Sequence, residues 1–201
     1  MHITDYHIIL ASNSPRRKEL LSGLDIEYEV RTLPDIDEKF SNNIPVEKVA
    51  EFLAKKKASA YLPFLKESEL LITADTIVLL NNKVYGKPVD NDDAKRMLHD
   101  LSGRTHLVIT GVCLNSSQKQ VVFSDTAKVT FVDLSDEEID YYVERYSPMD
   151  KAGAYGVQEW IGYMAVKNIE GSYFNVMGLP IHRVYEELKT NFGFRVDVSK
   201  M

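Results

Sequence analysis

The stretch Leu70–Leu80 (LLITADTIVLL) constrains the fold of this chain most, because a single carboxylate interrupts a long apolar run. A run this apolar is typical of a central strand in a sheet. An unpaired carboxylate in such a place costs on the order of several kcal/mol, so Asp75 must be paired, hydrogen-bonded, bound to a metal or open to a cleft. Two interpretations remain: a structural ion pair, or a functional carboxylate at a strand end or bulge.

Strands and helices alternate along the rest of the chain. Ser14 and Pro15 predict the start of a first helix, Ser135 with Glu138 predicts a capping box, and Asn81–Asn82 predicts a turn after the central strand. The pattern favours an α/β or α+β fold with a mixed sheet, in one structural unit over residues 1–201. The predicted strands cover 7–10, 28–33, 69–80, 105–114 and 120–134, with two more around 169–172. The other predicted helices cover 46–62, 91–101, 136–146 and 181–192, and the predicted loops 35–45 and 147–158.

The first helix opens with three cations, Arg16, Arg17 and Lys18. The positive end of the helix dipole disfavours cations by roughly 0.3–1 kcal/mol each at exposed sites. An anion bound at this helix N-terminus would explain the placement, because free backbone N–H groups, the hydroxyls of Ser12 and Ser14 and two guanidinium groups would converge on it. The alternative is that both arginines lie in solvent or pair with surface acids.

The second helix carries the run KKK, whose members fall on different faces. Lys57 lies in the middle of the apolar stripe, whereas Lys55 points away and Lys56 lies at its rim. Lys57 is therefore a candidate pocket lysine. A lysine stem that passes its apolar neighbours to reach water is the alternative.

Two later segments combine cations with glycines. YGKPVD places Lys87 in a turn after the central strand, and MDKAGAYGVQ places Asp150 and Lys151 before a glycine-bearing loop. Glycine lets the backbone approach a ligand closely, and the Gln158 amide is able to read the edge of a base. A surface lysine and an ordinary loop would explain each segment alone.

Composition and absent motifs exclude several classes of protein. The net charge of −6 argues against non-specific binding to nucleic acid. The chain has one cysteine, Cys113, which we expect to be a buried structural thiol, and so it forms no internal disulfide. We expect no signal peptide and no membrane span, and therefore a reducing cytoplasm. The sequence contains no P-loop motif, dinucleotide-binding glycine motif, zinc-ligand cluster or nucleophile elbow.

With these residues assembled, the sequence resembles the Maf family of nucleoside triphosphate pyrophosphatases. The similarity runs from about Ile8 to about Phe192. Seven motifs carry it in the family's order: LASNSPRRKELL, DIDEKF, AKKKA, TADTIV, GKP, LSGRTH and DKAGAYGVQ.

The resemblance implies an activity and a fold. Such enzymes hydrolyse a nucleotide between the α- and β-phosphates with help from Mg²⁺ or Mn²⁺. Their fold is a mixed α/β structure with flanking helices and two lobes about a central cleft, similar to that of the inosine triphosphate pyrophosphatases. The expected partner is a small nucleoside triphosphate, without nucleic acid or membrane, and the resemblance also favours a homodimer.

The resemblance also implies roles for individual residues. Asp75 matches the active-site carboxylate, and Glu38 with Asp75 is the expected metal pair. The dTTP and UTP subgroup is similar at three specificity positions: Arg16, Thr76 and Gln158. The expected substrate-binding residues are Ser12, Arg16, Arg17, Lys57, Lys87, Asp150 and Lys151. The chain departs from many relatives in YGKP, where they carry an acid before the lysine, so no ligand role is expected for residue 86.

Two other functions remain open at this point. A nucleotide-binding regulator of cell division would use the same cations but would tolerate loss of Asp75. A pyrophosphatase for purine or damaged nucleotides would differ only in its choice of base.

Overall fold

The structure, a computed structural model, describes residues 2–34, 36–41 and 43–196. Residues 35 and 42 of the predicted loop, and residues 1 and 197–201 of the predicted single unit, lie outside the described residues. The strands are β1 His2–Ile3, β2 His7–Leu10, β3 Tyr28–Val30, β4 Glu69–Leu80, β5 Lys83–Tyr85, β6 Thr105–Asn115, β7 Gln120–Phe131, β8 Val166–Glu170 and β9 Arg195–Val196. The α-helices are α1 Pro15–Ser22, α2 Val49–Tyr61, α3 Asn91–Leu101, α4 Asp136–Tyr146, α5 Trp160–Ala165, α6 Tyr173–Met177 and α7 Ile181–Phe192.

Seven strands form one mixed sheet, in the order β3-β2-β4-β6-β7-β8 with β5 paired to β4. Strand β2 runs parallel to both β3 and β4, whereas β5 and β8 pair antiparallel with their neighbours. Together with the flanking helices, this sheet confirms the predicted mixed α/β fold. None of the helices in the described part of the chain has the length and hydropathy of a membrane span.

The chain divides into two compact units. The first comprises residues 1–75, 110–125 and 178–201, and the second comprises residues 76–109 and 126–177. The central cleft implied by the family resemblance stays a prediction.

The core of the first unit lies where helix α2 covers the sheet. Ile9, Leu71 and Cys113 are fully buried there against the alanines of α2. Gly111 permits this contact, since a Cβ atom at that position would lie 2.2 Å from the backbone carbon of Ala50. The buried Cys113 thiol confirms its predicted structural role, and burial raises its pKa to about 11.

Local sequence signals predicted several element ends correctly. Ser14 caps α1 with Pro15 in its first turn, and the Ser135 and Glu138 capping box begins α4. The turn between β4 and β5 has positive φ at Asn81 and Asn82, which is the backbone of a two-residue hairpin turn.

The prediction of two strands around residues 169–172 is wrong. Only β8 is present, and the next segment is the short helix α6. Gly171, with φ of 120°, turns the chain out of the strand, and Ser172 then accepts the N–H of Asn175 on its hydroxyl. This serine cap favours a helical turn over a second strand. Similarly, β3 ends at Val30, short of the predicted 28–33.

Three aromatic rings form a buried cluster in the second unit. His106 contacts Phe131 and Tyr155 edge to face, with its Nε2 atom 2.8 Å from the Tyr155 hydroxyl oxygen. Its Nδ1 atom is buried and has no hydrogen-bond partner among the described residues. Burial lowers the pKa of His106 to about 4, so the ring is neutral at neutral pH.

We expect this histidine to make the stability of the protein sensitive to mild acid. The unfolded chain binds the proton below its ordinary pKa of 6.5, whereas the folded chain binds it only near 4, so acid favours unfolding. The unfolding free energy should fall by about 2 kcal/mol between pH 7.5 and pH 5 through this residue alone. Urea denaturation of His106→Asn should show a flatter pH dependence over that range. The exposed His99→Asn serves as control, and equal slopes for both variants would contradict the assignment.

Candidate active site

The N-terminus of α1 is built by two serines. Ser14 accepts the backbone N–H of Arg17 at 3.5 Å, and Ser12 accepts the N–H of Ser14 at 3.2 Å. The first turn contains no acidic residue, and Arg16 and Arg17 are both only half-buried. The start of the helix therefore carries two hydroxyls and two guanidinium groups, a composition suited to an anion.

Arg17 links this helix end to the central strand. Its Nη1 donates to the carbonyl oxygen of Ala74 at 2.9 Å, and its Nε donates to that of Gly178 at 2.8 Å. Burial lowers the pKa of the guanidinium, and the nearby carboxylate of Asp75 opposes this shift. Because Ala74 directly precedes Asp75, Arg17 fixes the backbone that carries the carboxylate.

The ammonium of Lys57 bridges the two predicted acidic residues. Its Nζ lies 2.5 Å from Oδ1 of Asp75 and 2.9 Å from Oε1 of Glu38. The side chains of Lys57 and Asp75 are 14% and 12% exposed, while that of Glu38 is 43% exposed. Asp75 is thus paired inside the protein, and this acidic and basic cluster opens to solvent on the Glu38 side.

Helix α2 also holds the segment that carries Glu38. Lys56 donates to Oδ2 of Asp37 at 2.8 Å and to the carbonyl oxygen of Lys39 at 2.9 Å. Two adjacent lysines of α2 therefore contact two adjacent acids, Lys56 with Asp37 and Lys57 with Glu38. The sequence placed Lys56 at the rim of the apolar stripe but did not predict its contact with this segment. The one signal available was Asp37, the acid that precedes Glu38.

The predicted metal pair, Glu38 and Asp75, contacts the ammonium of Lys57 in this structure. Within the described ranges, no group of three or more His, Cys, Asp or Glu side chains is arranged to hold a metal ion. Glu38 and Asp75 nevertheless meet on one ammonium, and Mg²⁺ at nucleotide sites uses one or two carboxylates together with substrate phosphates and water. Two carboxylates satisfy that requirement. The metal stays a prediction.

In the second unit, the GKP and DKAGAYG motifs lie side by side. The N–H of Gly153 donates to the carbonyl oxygen of Gly86 at 3.0 Å, next to the exposed Lys87. Gly153 has φ of 67°, and a Cβ atom there would lie 2.8 Å from Cγ2 of Val78. Glycine is therefore required for the loop to pack against the strand.

Lys151 is buried, which its sequence context did not indicate. Its side chain is 8% exposed, with Nζ 2.7 Å from Oδ1 of Asp150 and 3.1 Å from Oε1 of Glu159. Sequence reasoning missed Glu159, and the only signal was an acid directly after the candidate base-reading Gln158. The Oε1 atom of Gln158 is buried and accepts no hydrogen bond from the described residues.

The two units thus divide the predicted site residues. The first unit brings the Arg17, Glu38, Lys57 and Asp75 side chains together beside the α1 N-terminus, whose residues include Ser12 and Arg16. The second unit contains Thr76, Lys87, Asp150, Lys151 and Gln158.

Comparisons with known proteins agree with these motifs. The sequence profile of the family described as Maf-like protein matches residues 7–191. A protein from Phocaeicola vulgatus named dTTP/UTP pyrophosphatase is 58% identical, over 94% of this chain and 97% of that protein. One of the same name from Porphyromonas gingivalis is 55% identical, over 96% and 97%. The solved structure of a HAM1 protein from Coxiella burnetii is similar in fold, with a TM-score of 0.50 at 16% identity over 92% of this chain and 98% of that one.

Proposed function

Because the chain belongs to the Maf-like protein family, we propose that it is a nucleoside triphosphate pyrophosphatase that cleaves dTTP and UTP to the monophosphate and pyrophosphate. The family predicted from the sequence motifs is confirmed by the profile match. The observation that carries the proposal is the bridge from Lys57 to Asp75 and Glu38, close to an arginine-rich helix N-terminus.

This arrangement favours an enzyme over a nucleotide-binding regulator. A carboxylate beside a polyphosphate weakens binding by repulsion unless a cation lies between them. A regulator would gain affinity by losing Asp75, whereas a hydrolase needs a carboxylate at the reacting centre.

A divalent cation is the proposed cofactor, held by Glu38 and Asp75. When bound, Mg²⁺ or Mn²⁺ supplies positive charge to the phosphate oxygens and makes a bound water more acidic.

The protein's own residues would bind the phosphates and orient the water. The amides at the start of α1, the Ser12 hydroxyl and the Arg16 guanidinium bind the phosphate oxygens. The Lys57 ammonium, which contacts Asp75 and Glu38 in this structure, would donate to the phosphate oxygens of the substrate while it stays close to Asp75. Asp75 accepts a hydrogen bond from the water that forms the new bond to the α-phosphorus, and pyrophosphate leaves as the bond to the bridging oxygen breaks.

Gln158 is the proposed contact to the base. The buried Oε1 of Gln158 accepts no hydrogen bond from the described residues. Thymine and uracil both present an N3–H group that could donate to it. Cytosine presents an acceptor at that position and offers the amide oxygen no N3–H donor. Thr76 and Arg16 are the other proposed specificity residues. Lys87, Asp150 and Lys151 remain proposed substrate-binding residues, and a homodimer and a cytoplasmic location complete the proposal.

A turnover panel tests this function. Incubation with dTTP, UTP, dCTP, ATP and GTP in the presence of Mg²⁺ should release pyrophosphate, fastest from dTTP and UTP. Release of orthophosphate, or no turnover with any nucleotide, would overturn the proposal. Faster release from ATP or GTP would favour a purine pyrophosphatase, and omission of the metal with added chelator should stop the reaction.

A further inference from the structure

Glu159 and Tyr142 surround the buried Lys151 in the second unit and have no role in the proposed reaction. Glu159 contacts Lys151 through Oε1, and its other oxygen, Oε2, accepts a hydrogen bond from the hydroxyl of Tyr142. The Glu159 side chain is 20% exposed, whereas that of Asp150, the other partner of Lys151, is 54% exposed. Glu159 is therefore the inner partner of this lysine.

Tyr142 connects the same carboxylate to the loop backbone. The residue is fully buried on helix α4, and its hydroxyl oxygen accepts the N–H of Gly156 at 3.0 Å. The hydroxyl thus donates to Glu159 and accepts from Gly156, which uses both of its hydrogen-bonding capacities in a buried position.

These contacts all involve residues of a single tight turn. The N–H of Glu159 donates to the carbonyl oxygen of Gly156 at 3.0 Å, so residues 156–159 form a β-turn with Gln158 as its third residue. A Cβ atom at Gly156 would lie 2.8 Å from Cδ of Glu159 and 3.1 Å from Cε of Lys151. The side chain of Glu159, the last residue of the turn, therefore packs directly against Gly156, the first residue.

We propose that Glu159 and Tyr142 are positioning residues that orient the Gln158 amide toward the base of the nucleotide, an inference that rests on the proposed function. A side chain on a turn is oriented by the turn's backbone, and this turn is held by a charge pair and a buried hydroxyl. The Oε1 atom of Gln158 is buried and accepts no hydrogen bond from the described residues, and it is the atom assigned to the base. Neither Glu159 nor Tyr142 contacts the substrate in this account.

The test compares substrate discrimination across four variants: Tyr142→Phe, Glu159→Gln, Glu159→Ala and the control Tyr141→Phe. Tyr141 precedes Tyr142 on the same helix, is half-exposed, and packs edge to face on Trp160, outside the hydrogen-bonded set. For each variant, kcat and KM are measured with dTTP and with dCTP, and amide hydrogen exchange is followed for residues 150–159.

Tyr142→Phe removes the acceptor for Gly156 and the donor to Glu159. We expect the ratio of kcat/KM for dTTP over dCTP to fall about tenfold, mainly through KM for dTTP, with kcat for dTTP within about threefold of wild type. Glu159→Ala should behave similarly. Glu159→Gln keeps an acceptor for Tyr142 and should recover part of the ratio. Amide exchange in residues 150–159 should be faster than wild type in Glu159→Gln and faster still in Glu159→Ala. Tyr141→Phe should match wild type in every measurement.

The outcomes separate this inference from the proposed function. A wild-type protein that releases no pyrophosphate overturns both. If wild type prefers dTTP and the three variants keep that preference, or lose kcat equally for both substrates, the positioning role is overturned while the enzyme assignment stands.

Discussion

Asp75→Asn is expected to abolish pyrophosphate release from dTTP, with kcat reduced by about a thousandfold or more. Asparagine has nearly the same shape as aspartate but carries no negative charge to orient the attacking water. Nucleotide binding should survive, because the α1 N-terminus and Lys57 remain, and Lys57 keeps Glu38 as a partner at 2.9 Å. Steady-state assays give kcat, and calorimetric titration with dTTP gives the dissociation constant, which should change by less than about threefold.

The matched control for this variant is Asp140→Asn. Asp140 also pairs with a lysine, Lys95, at 2.6 Å, but its side chain is 53% exposed. That variant should retain wild-type turnover, because exposed pairs contribute little to stability and this one is absent from the proposed site. Near-normal turnover of Asp75→Asn would remove Asp75 from the reaction and would favour the structural ion pair.

Lys57→Met should impair both stability and turnover. The change leaves Asp75 buried without its closest cation, and loss of one partner of a buried pair costs about 3 kcal/mol of unfolding free energy. It also removes a proposed phosphate-binding cation, so kcat/KM for dTTP should fall about a hundredfold. Urea denaturation and steady-state kinetics measure the two effects, and Lys55→Met, at an exposed position on the same helix, should change neither.

A double variant distinguishes the two roles of Lys57. Lys57→Met with Asp75→Asn removes the stranded charge, so the protein should regain at least half of the lost unfolding free energy. It should remain inactive, because neither the carboxylate nor the cation is restored. If Lys57→Met costs less than about 1 kcal/mol, the buried pair does not hold this part of the fold together.

Several features of the fold were predictable because short-range chemistry decides them. A serine hydroxyl caps the helix that follows it, as Ser14 does, and two asparagines with positive φ close a two-residue hairpin. Helical periodicity also singled out Lys57 from its two neighbours, since its place on the buried stripe follows from 3.6 residues per turn. The same local logic was wrong around residues 169–172, where Ser172 caps a helical turn and stops a second strand from forming.

The candidate site was predictable in its residue types but not in its pairings. An acid in an apolar strand must have a partner. Nothing in the local sequence selects Lys57, which lies 18 residues away, over the arginines of α1 as that partner. Arg17 was predicted to face an anion, and the structure shows at least two of its donors on backbone carbonyls. Lys151 was predicted from its motif, but its burial between Asp150 and Glu159 depends on a turn and a distant helix.

The sequence by itself determined where α1 and α4 begin, that Asp75 needs a partner, and that cations gather at the start of α1. These depend on interactions within a few residues, or on the cost of burying a charge, and each can be judged from the amino-acid order. Only the tertiary structure decided that Lys57 joins Asp75 to Glu38 and that Tyr142 and Glu159 hold the turn before α5. Such contacts join residues distant along the chain, and their free energy exists only after packing has excluded water from around them.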